Sequence, residues 1–526
     1  MTDAMTAPRR LDLDGLTLAD VLAGALAGRR VTVLGLARSG VALARFFVDA
    51  GADVVAYDAR PIEALADSIA GLEGRRVELQ LGPDVDPAGT WRGAALVATS
   101  PSISPDFPTS EPRLREALAA LRAAGADDPT APRLVSEADL VLRLCPVPTI
   151  GVTGTKGKTT TASLAAAVLA ADPSHPVALG GNIGRPLVDL LPALTPDHRV
   201  VIELSELQLP TLTRGTTVAV YTNVTSDHLD RHGSLSAYRA AKRRLAELVD
   251  PDGALVLNAE DPVVAGYAGL GLAPALLYRT ERPMPGGVGV VEDWIVAAGV
   301  ERLPLAGGGA AATGPGGRIM PVGELMLPGR HSLSNALAAI GTGLLFGVAP
   351  DGIRRAVAQF RGVEHRLEPV AEIDGVRFVN DSQGTQPDAV AAALRAFEPP
   401  VVLIAGGRDK GIDLSDLPPV AARRAVAAVL IGESGPALEA MFRAAGLART
   451  ERAATLEAAV ERADAIAREI RDADPRRPIA TVLLSPAAAS FDMFVDYADR
   501  GRAFKYAVAA LAERRRGAGT TGGGRP

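Results

Sequence analysis

The sequence predicts an α/β chain of three domains, each built on a mostly parallel sheet covered by helices. Three observations predict it. Short apolar, β-branched runs alternate with helical runs along most of the chain, the pattern of βαβ units. Several of these runs end in Gly, Asp or Ser clusters, where open α/β sheets carry their ligands. The length of 526 residues exceeds what one core sustains and corresponds to about three domains of ordinary size.

The first domain, expected over 1–146, opens with the apolar strand Arg30 to Gly35, a turn through Leu36-Ala37-Arg38-Ser39-Gly40, a helical run, and the strand DVVAY with Asp58 at its end. Gly35-x-Ala37-x-x-Gly40 followed by an acidic residue about 20 positions on is a Rossmann-like unit. Ala37 replaces the middle glycine, so a structural turn and a phosphate or ribose site fit equally well. The strand AALVATS ends at Ser100-Pro101-Ser102, a helical run follows, and Pro146 and Pro148 mark a linker.

The second domain, expected over 147–362, begins with VPTIGVTGTKGKTTTASLAAAVLA. A buried strand, a turn through Gly154-Thr155-Lys156-Gly157, and a helix opening at Lys158-Thr159-Thr160 form a phosphate cradle. Backbone N–H groups and the positive helix end face the anion, and glycines let the main chain approach. In that cradle Lys158 reaches the outer phosphates and Thr159 sits on Mg²⁺. The general P-loop has a glycine five residues before Gly157, where Val152 stands. An ordinary βα turn containing Gly-Lys-Thr is the alternative; the strand-and-helix context favours a nucleoside triphosphate.

Farther on, Gly180 to Gly184 reads as a turn-rich loop that places Asn182 near a ligand. The strand Arg199 to Glu203 carries a carboxylate at its C-terminal end, and TTVAVYTNV leads into Thr225 to Asp230. Glu203 and His228, each after a strand, are placed to converge on a metal beside the γ-phosphate. Oxygen ligands with one imidazole suit Mg²⁺ or Mn²⁺; a solvated acidic loop is the alternative. A helix with Tyr238, Lys242 and Leu245 follows. Residues 283–320 are Gly/Pro-rich and read as a strand pair with a flexible loop. The third domain, 363–516, alternates the strands VRFVND, PVVLIAG, AVAAVLIG and ATVLLS with helical runs, and 517–526 reads as a disordered tail.

Composition narrows the class. A net charge of −6 gives no basic surface for nucleic acid. The single cysteine, Cys145, excludes an intramolecular disulfide and a multi-cysteine metal site. No apolar run approaches the roughly 20 residues that span a bilayer, and the first residues lack the apolar core of a signal peptide. A cytoplasmic enzyme without membrane insertion is expected.

Together, these stretches resemble the Mur ligase family, the ATP-dependent amide ligases of peptidoglycan precursor synthesis. The resemblance runs from about Arg30 to Lys505. It is carried by Gly154-Thr-Lys-Gly-Lys-Thr159, Gly181-Asn-Ile-Gly184, Glu203-Leu-Ser205, Asp227-His-Leu-Asp-Arg-His232 and Tyr238-Arg-Ala-Ala-Lys242. His331 with Asn335, Glu364-His-Arg366 and Asn380-Asp-Ser382 extend it. VLGLARSG, the Gly406-Gly-x-x-Lys410-Gly segment and Leu484-Ser-Pro-Ala-Ala-Ala-Ser-Phe-Asp492 resemble the D-glutamate-adding branch.

The resemblance implies three domains: a Rossmann-like UDP-binding one, a central P-loop-type ATP-binding one and a Rossmann-like C-terminal one. It implies ligation of D-glutamate to UDP-N-acetylmuramoyl-L-alanine through an acyl phosphate, by a monomer. Gly154, Thr155, Lys156, Gly157, Lys158, Thr159 and Thr160 would hold ATP, with Asn335, Arg366 and Asp381. Thr159 and Glu203 would hold one Mg²⁺, and His228 would help hold a second. Lys242 matches a lysine that is carbamylated, with a solvent-facing helix lysine as the alternative. Ala37, Arg38, Ser39, Asp58 and Arg60 fall where uridine diphosphate binds, and Asn182, Ser205 and Gln208 where the muramoyl-alanine part binds. Thr385, Lys410, Ser490, Phe491 and Tyr497 match positions near the incoming amino acid.

There are departures. Gln383 stands where the family has a lysine, Ser332 where it has an asparagine, and Ser102 where it has a glycine. They leave open a relative that adds another amino acid, such as L-glutamate. A nicotinamide-dependent oxidoreductase would account for residues 30–60 but would leave the Gly-Lys-Thr cradle without a role.

Overall fold

The computed structural model describes the chain except for residues 1–10, 107–110, 129, 184, 226–231, 301–312, 328, 410–412, 474–478, 491 and 521–526. It is an α/β fold with mostly parallel sheets. The first sheet holds β1 (Arg30–Leu34), β2 (Asp53–Asp58), β3 (Glu78–Leu81), β4 (Leu96–Thr99) and β5 (Arg133–Ser136). All its pairs are parallel, in the order β3-β2-β1-β4-β5, so the order reverses between β1 and β4. The turn at that reversal leads into the helix Arg38–Asp49. Gly40 is obligatory there, because a Cβ on it would lie 1.6 Å from the Gly35 carbonyl oxygen.

The second sheet holds β6 (Thr149–Thr153), β7 (Val177–Gly181), β8 (Arg199–Glu203), β9 (Val218–Tyr221), β10 (Ala254–Asn258), β11 (Ala275–Tyr278), β12 (Gly287–Val291), β13 (Trp294–Ala298) and β14 (Arg318–Pro321). Their order is β14-β13-β12-β11-β10-β9-β6-β8-β7. Only the β12-β13-β14 edge is antiparallel. That edge is the strand pair expected in 283–320, joined by a third strand. Gly180 and Gly181, expected in a loop, instead finish β7. Gly181 needs its missing side chain there, since a Cβ would lie 2.3 Å from the Glu203 carbonyl oxygen.

These two sheets pack as one compact unit, which ends at Phe360; the second unit begins at Arg361. The linker expected near 146 therefore does not separate packing units. The reason is an apolar cluster running without a break from Leu43 and Phe47 of the first sheet's helix to Val188, Leu191, Ile202 and Tyr221 around the second sheet.

The second unit holds β15 (Glu368–Ile373), β16 (Val376–Asn380), β17 (Val401–Gly406), β18 (Ala427–Ile431), β19 (Thr450–Arg452) and β20 (Ala480–Leu484), in the order β15-β16-β20-β17-β18-β19. β15 is antiparallel to β16; the remaining pairs are parallel. The last helix, Tyr497–Thr520, continues past 516 into the span expected to be disordered. The Ala-, Glu- and Arg-rich stretch before it consists of strong helix formers. Among the described residues, no helix is long and apolar enough to cross a membrane.

Candidate active site

In the first unit, β6 lies between β8 and β9 inside the second sheet and delivers the Gly154–Gly157 turn to the helix Lys158–Leu169. The turn needs both glycines. A Cβ on Gly154 would sit 1.9 Å from Thr222 Oγ1, and one on Gly157 (φ 85°) would sit 2.6 Å from Asn335 Oδ1. Asn335 is thus in place against the cradle. The helix has no side-chain cap at Gly157, which leaves its positive end to an anion. Lys158 folds back onto its own loop, donating to the carbonyls of Gly154 and Thr155 at 3.0 Å each.

Two residues that sequence reasoning missed clamp the cradle from β9. Asn223 accepts from Lys156 N–H at 3.0 Å and donates to the Lys156 carbonyl at 3.0 Å, while Thr222 Oγ1 donates to that carbonyl at 2.6 Å. The signal was a polar Thr-Asn pair directly after the apolar VAVY. Tyr238 adds a third restraint, its hydroxyl 2.8 Å from Thr155 Oγ1.

Glu203 ends β8 in register with Val152 of β6 and is 1 % exposed. One carboxylate oxygen accepts from Asn182 Nδ2 at 3.1 Å; the other, Oε2, is buried without a hydrogen-bond partner among the described residues. A buried, unsatisfied carboxylate oxygen beside a hydroxyl-bearing phosphate cradle fits a hard divalent cation. Thr159 is buried beside the cradle and supplies that hydroxyl.

Lys242 is fully buried, which excludes the solvent-facing alternative. Its Nζ donates to Thr153 Oγ1 at 3.2 Å and lies 5.6 Å from the Tyr238 ring centre. Ser205 and Gln208 are buried and joined to each other: Gln208 Oε1 accepts from Ser205 N–H at 2.9 Å and from its hydroxyl at 3.0 Å. In the first sheet, Ala37 precedes the Arg38–Asp49 helix, so Arg38 and Ser39 sit at its start. Asp58 accepts from Leu36 N–H at 2.9 Å and from the Arg60 side chain at 3.0 and 2.8 Å. Burial works against its charge, but the Arg60 and backbone hydrogen bonds prevail and hold the carboxyl below its usual range.

The second unit brings Arg366, Asp381, Gln383 and Thr385 together around one turn and carries Ser490 as a buried residue elsewhere in the same unit. Arg366 sits between two residues in left-handed backbone, His365 (φ 63°) and Leu367 (φ 45°), an arrangement that costs energy and aims one side chain. Asp381 holds this turn by accepting from Leu367 N–H at 3.1 Å, and also accepts from Ser485 Oγ at 2.6 Å. Gln383 N–H donates to the His365 carbonyl and Thr385 N–H to the Gln383 carbonyl. Sequence reasoning missed Arg500, a buried guanidinium. It donates to the Ser382 hydroxyl and carbonyl at 3.0 Å and to the Ala488 and Ala489 carbonyls, binding the 382 and 488 segments together. Burial lowers its pKa to about 10. His228, Lys410 and Phe491 lie outside the described residues.

Burial pushes the Asp381 carboxyl up to about 6, against the opposing pull of Ser485, Leu367 N–H and Arg366. The folded chain therefore holds this proton more tightly than the unfolded one. The stability that Asp381 contributes is full below pH 3.8 and is lost as pH rises through about 6. In urea titrations, wild type is expected to lose up to about 3 kcal/mol relative to Asp381→Asn across that window. Parallel stability curves would contradict the assignment.

Two family models match the chain: the Mur ligase middle domain over residues 152–343 and the Mur ligase glutamate ligase domain over residues 365–488. A UDP-N-acetylmuramoylalanine–D-glutamate ligase of Symbiobacterium thermophilum is 36 % identical over 93 % of this chain and 100 % of its own. The ligase of the same name from Acidobacterium capsulatum is 37 % identical over 92 % of this chain and 97 % of its own. One from a Roseiflexus species is 38 % identical over 92 % and 99 %. With the cradle, the Glu203 carboxylate and the buried Lys242 all falling within the matched middle domain, the chain belongs to the Mur ligase family.

Proposed function

We propose that this protein is an ATP-dependent amide ligase that joins D-glutamate to UDP-N-acetylmuramoyl-L-alanine in peptidoglycan precursor synthesis. One observation carries the reading most: a glycine-built phosphate cradle beside a buried Glu203 whose Oε2 lacks a hydrogen-bond partner among the described residues. The sequence relatives carry the substrates, since their names specify the muramoyl-alanine nucleotide and D-glutamate.

The chemistry follows from the inertness of a carboxylate toward amines in water. The alanine carboxylate oxygen attacks the γ-phosphorus of ATP and displaces ADP, giving an acyl phosphate. The amine of D-glutamate then attacks the acyl carbon; phosphate leaves and the nitrogen gives up a proton. The transferring phosphoryl group needs fixed positive charge and alignment more than covalent help. Lys158, released from its loop carbonyls, provides charge at the β/γ-phosphates, and the helix N–H groups hold the remaining oxygens. Glu203 and Thr159 would hold one Mg²⁺ and His228 would help hold a second, and a cation bound there would neutralise phosphate charge. Lys242 carries a carbamate, formed by its amine and carbon dioxide with loss of a proton, which makes it anionic toward the metals.

Asn335, Arg366 and Asp381 complete the ATP contacts. The uridine diphosphate lies at the Arg38 helix start, with Asp58 and Arg60 beside it. Asn182, Ser205 and Gln208 receive the muramoyl-alanine, and Gln383, Thr385, Lys410, Ser490 and Phe491 the amino acid. The three domains, 1–146, 147–362 and 363–516, act as a monomer in the cytoplasm. A second reading, addition of L-glutamate or another amino acid, is favoured by Gln383, which removes a positive charge from the amino-acid side. Phosphate release from ATP with UDP-N-acetylmuramoyl-L-alanine decides between them. Release that requires D-glutamate is expected; release that requires L-glutamate, or needs no amino acid, overturns the first reading.

A further inference from the structure

Glu137 has no part in the chemistry above, yet it is 2 % exposed at the seam between the first two sheets. It opens the helix Glu137–Leu144, which follows β5 directly. Its carboxyl is hydrogen-bonded to the Ser39 side chain at the start of the Arg38 helix. It also accepts from the backbone N–H groups of Leu187 and Val188, the latter at 3.5 Å. Those two residues open the short helical turn Leu187–Ala193. That turn begins five residues after Asn182, the side chain that holds Glu203. Burial pushes the Glu137 carboxyl above its usual range, with Asp189 adding to the effect.

We propose that Glu137 is a positioning residue that sets the separation between the uridine-diphosphate end and the acyl end of one extended substrate. This rests on the reading of the Arg38 helix start as the uridine-diphosphate site. The substrate is gripped at two ends by two different sheets, so productive binding demands a fixed distance between the grips. Close to Glu137 the seam is lined by Leu43, Ala138, Val188 and Leu191 in one apolar cluster; farther along it Thr211 Oγ1 donates to Ser136 Oγ at 2.7 Å and Thr213 N–H to Asp139 at 2.6 Å. Apolar contacts tolerate sliding, whereas hydrogen bonds are directional. Arg45 makes a second tie, one guanidinium nitrogen donating to both Asp189 oxygens at 3.1 Å, but it is about a quarter exposed and so more weakly constraining. Of the two ties to the Leu187 turn, Glu137 is the one that reaches the start of the Arg38 helix, through Ser39, while Arg45 acts from farther along that helix.

The test is steady-state kinetics and calorimetry on the full-length protein. Glu137→Ala is expected to raise KM for UDP-N-acetylmuramoyl-L-alanine about tenfold, a misplacement effect, with kcat and KM for ATP within about threefold of wild type. Glu137→Gln, which keeps the length and the acceptor oxygen, is expected to restore the wild-type KM. Glu137→Asp keeps the charge but is one methylene too short to span both partners, and is expected to share the rise even if the alanine variant fails to fold. Affinity for uridine diphosphate alone, which needs one grip only, is expected to fall less than affinity for the whole substrate. An unchanged KM in the aspartate variant, or an equal loss for ATP, overturns the proposal. Wild-type protein that does not turn over the muramoyl nucleotide overturns the functional reading instead.

Discussion

Lys158→Ala is expected to abolish turnover, lowering kcat by at least about 10³-fold, while leaving the fold intact. In the resting protein the ammonium is held by two carbonyls of its own turn, which compete poorly with a triphosphate. The backbone cradle survives its removal, because Gly154, Gly157, Thr222 and Asn223 shape the turn without it. ATP binding should therefore weaken less than turnover, separating a charge that acts on the transferring phosphoryl group from one that merely holds the nucleotide. Near-normal turnover, measured by phosphate release, would remove the cradle from the mechanism.

The second large effect is expected at Lys242. Its side chain is fully buried, one hydroxyl away from β8, through Thr153 Oγ1 and the Leu204 carbonyl at 2.8 Å. An unmodified ammonium held against Thr153, on the strand that delivers the cradle, would compete with a cation for the phosphate field. As a carbamate it would strengthen that field. Lys242→Ala should lose about 10²- to 10³-fold in kcat and regain part of it with a small carboxylate such as formate or acetate in solution. Wild-type activity should rise with added bicarbonate after the protein has been depleted of carbon dioxide. No rescue, together with an intact-mass spectrum showing unmodified Lys242 under native conditions, would rule the carbamate out.

Much of this site was legible because its chemistry sits where periodicity changes. The Arg199 to Glu203 strand appears with the expected boundaries, its carboxylate at the C-terminal end. The cradle follows from an apolar run, a glycine turn and an Ala-rich helix, each with a local cause. The antiparallel edge strand β15 was missed, although its signal was present. Asp374 and Gly375, both at positive φ, form the two-residue turn joining it to β16, a dipeptide that favours hairpins. Pro369 and the half-exposed faces of Glu368–Ile373 masked the alternation.

What sequence patterns missed was set by tertiary partners. The resemblance singled out Lys242, but helical periodicity alone reads it as one charge on a charged helix, and the Thr153 strand packed against it makes it an interior residue. Glu137 and Arg500 likewise look like surface charges; their burial depends on segments far away in the sequence, Ser39 and Leu187 for one, Ser382 and Ala488 for the other. The expected division near residue 146 also fails as a packing boundary, since prolines mark a change of direction without showing that apolar surface continues across it.

A carboxylate activated by phosphorylation loses one of its own oxygens with the departing phosphate. The most direct measurement uses UDP-N-acetylmuramoyl-L-alanine labelled with ¹⁸O in its alanine carboxylate. After turnover with ATP and D-glutamate, the inorganic phosphate is analysed by mass spectrometry. Transfer of one ¹⁸O from the carboxylate to phosphate in each turnover is expected. Unlabelled phosphate, or label recovered in AMP, would contradict an acyl phosphate.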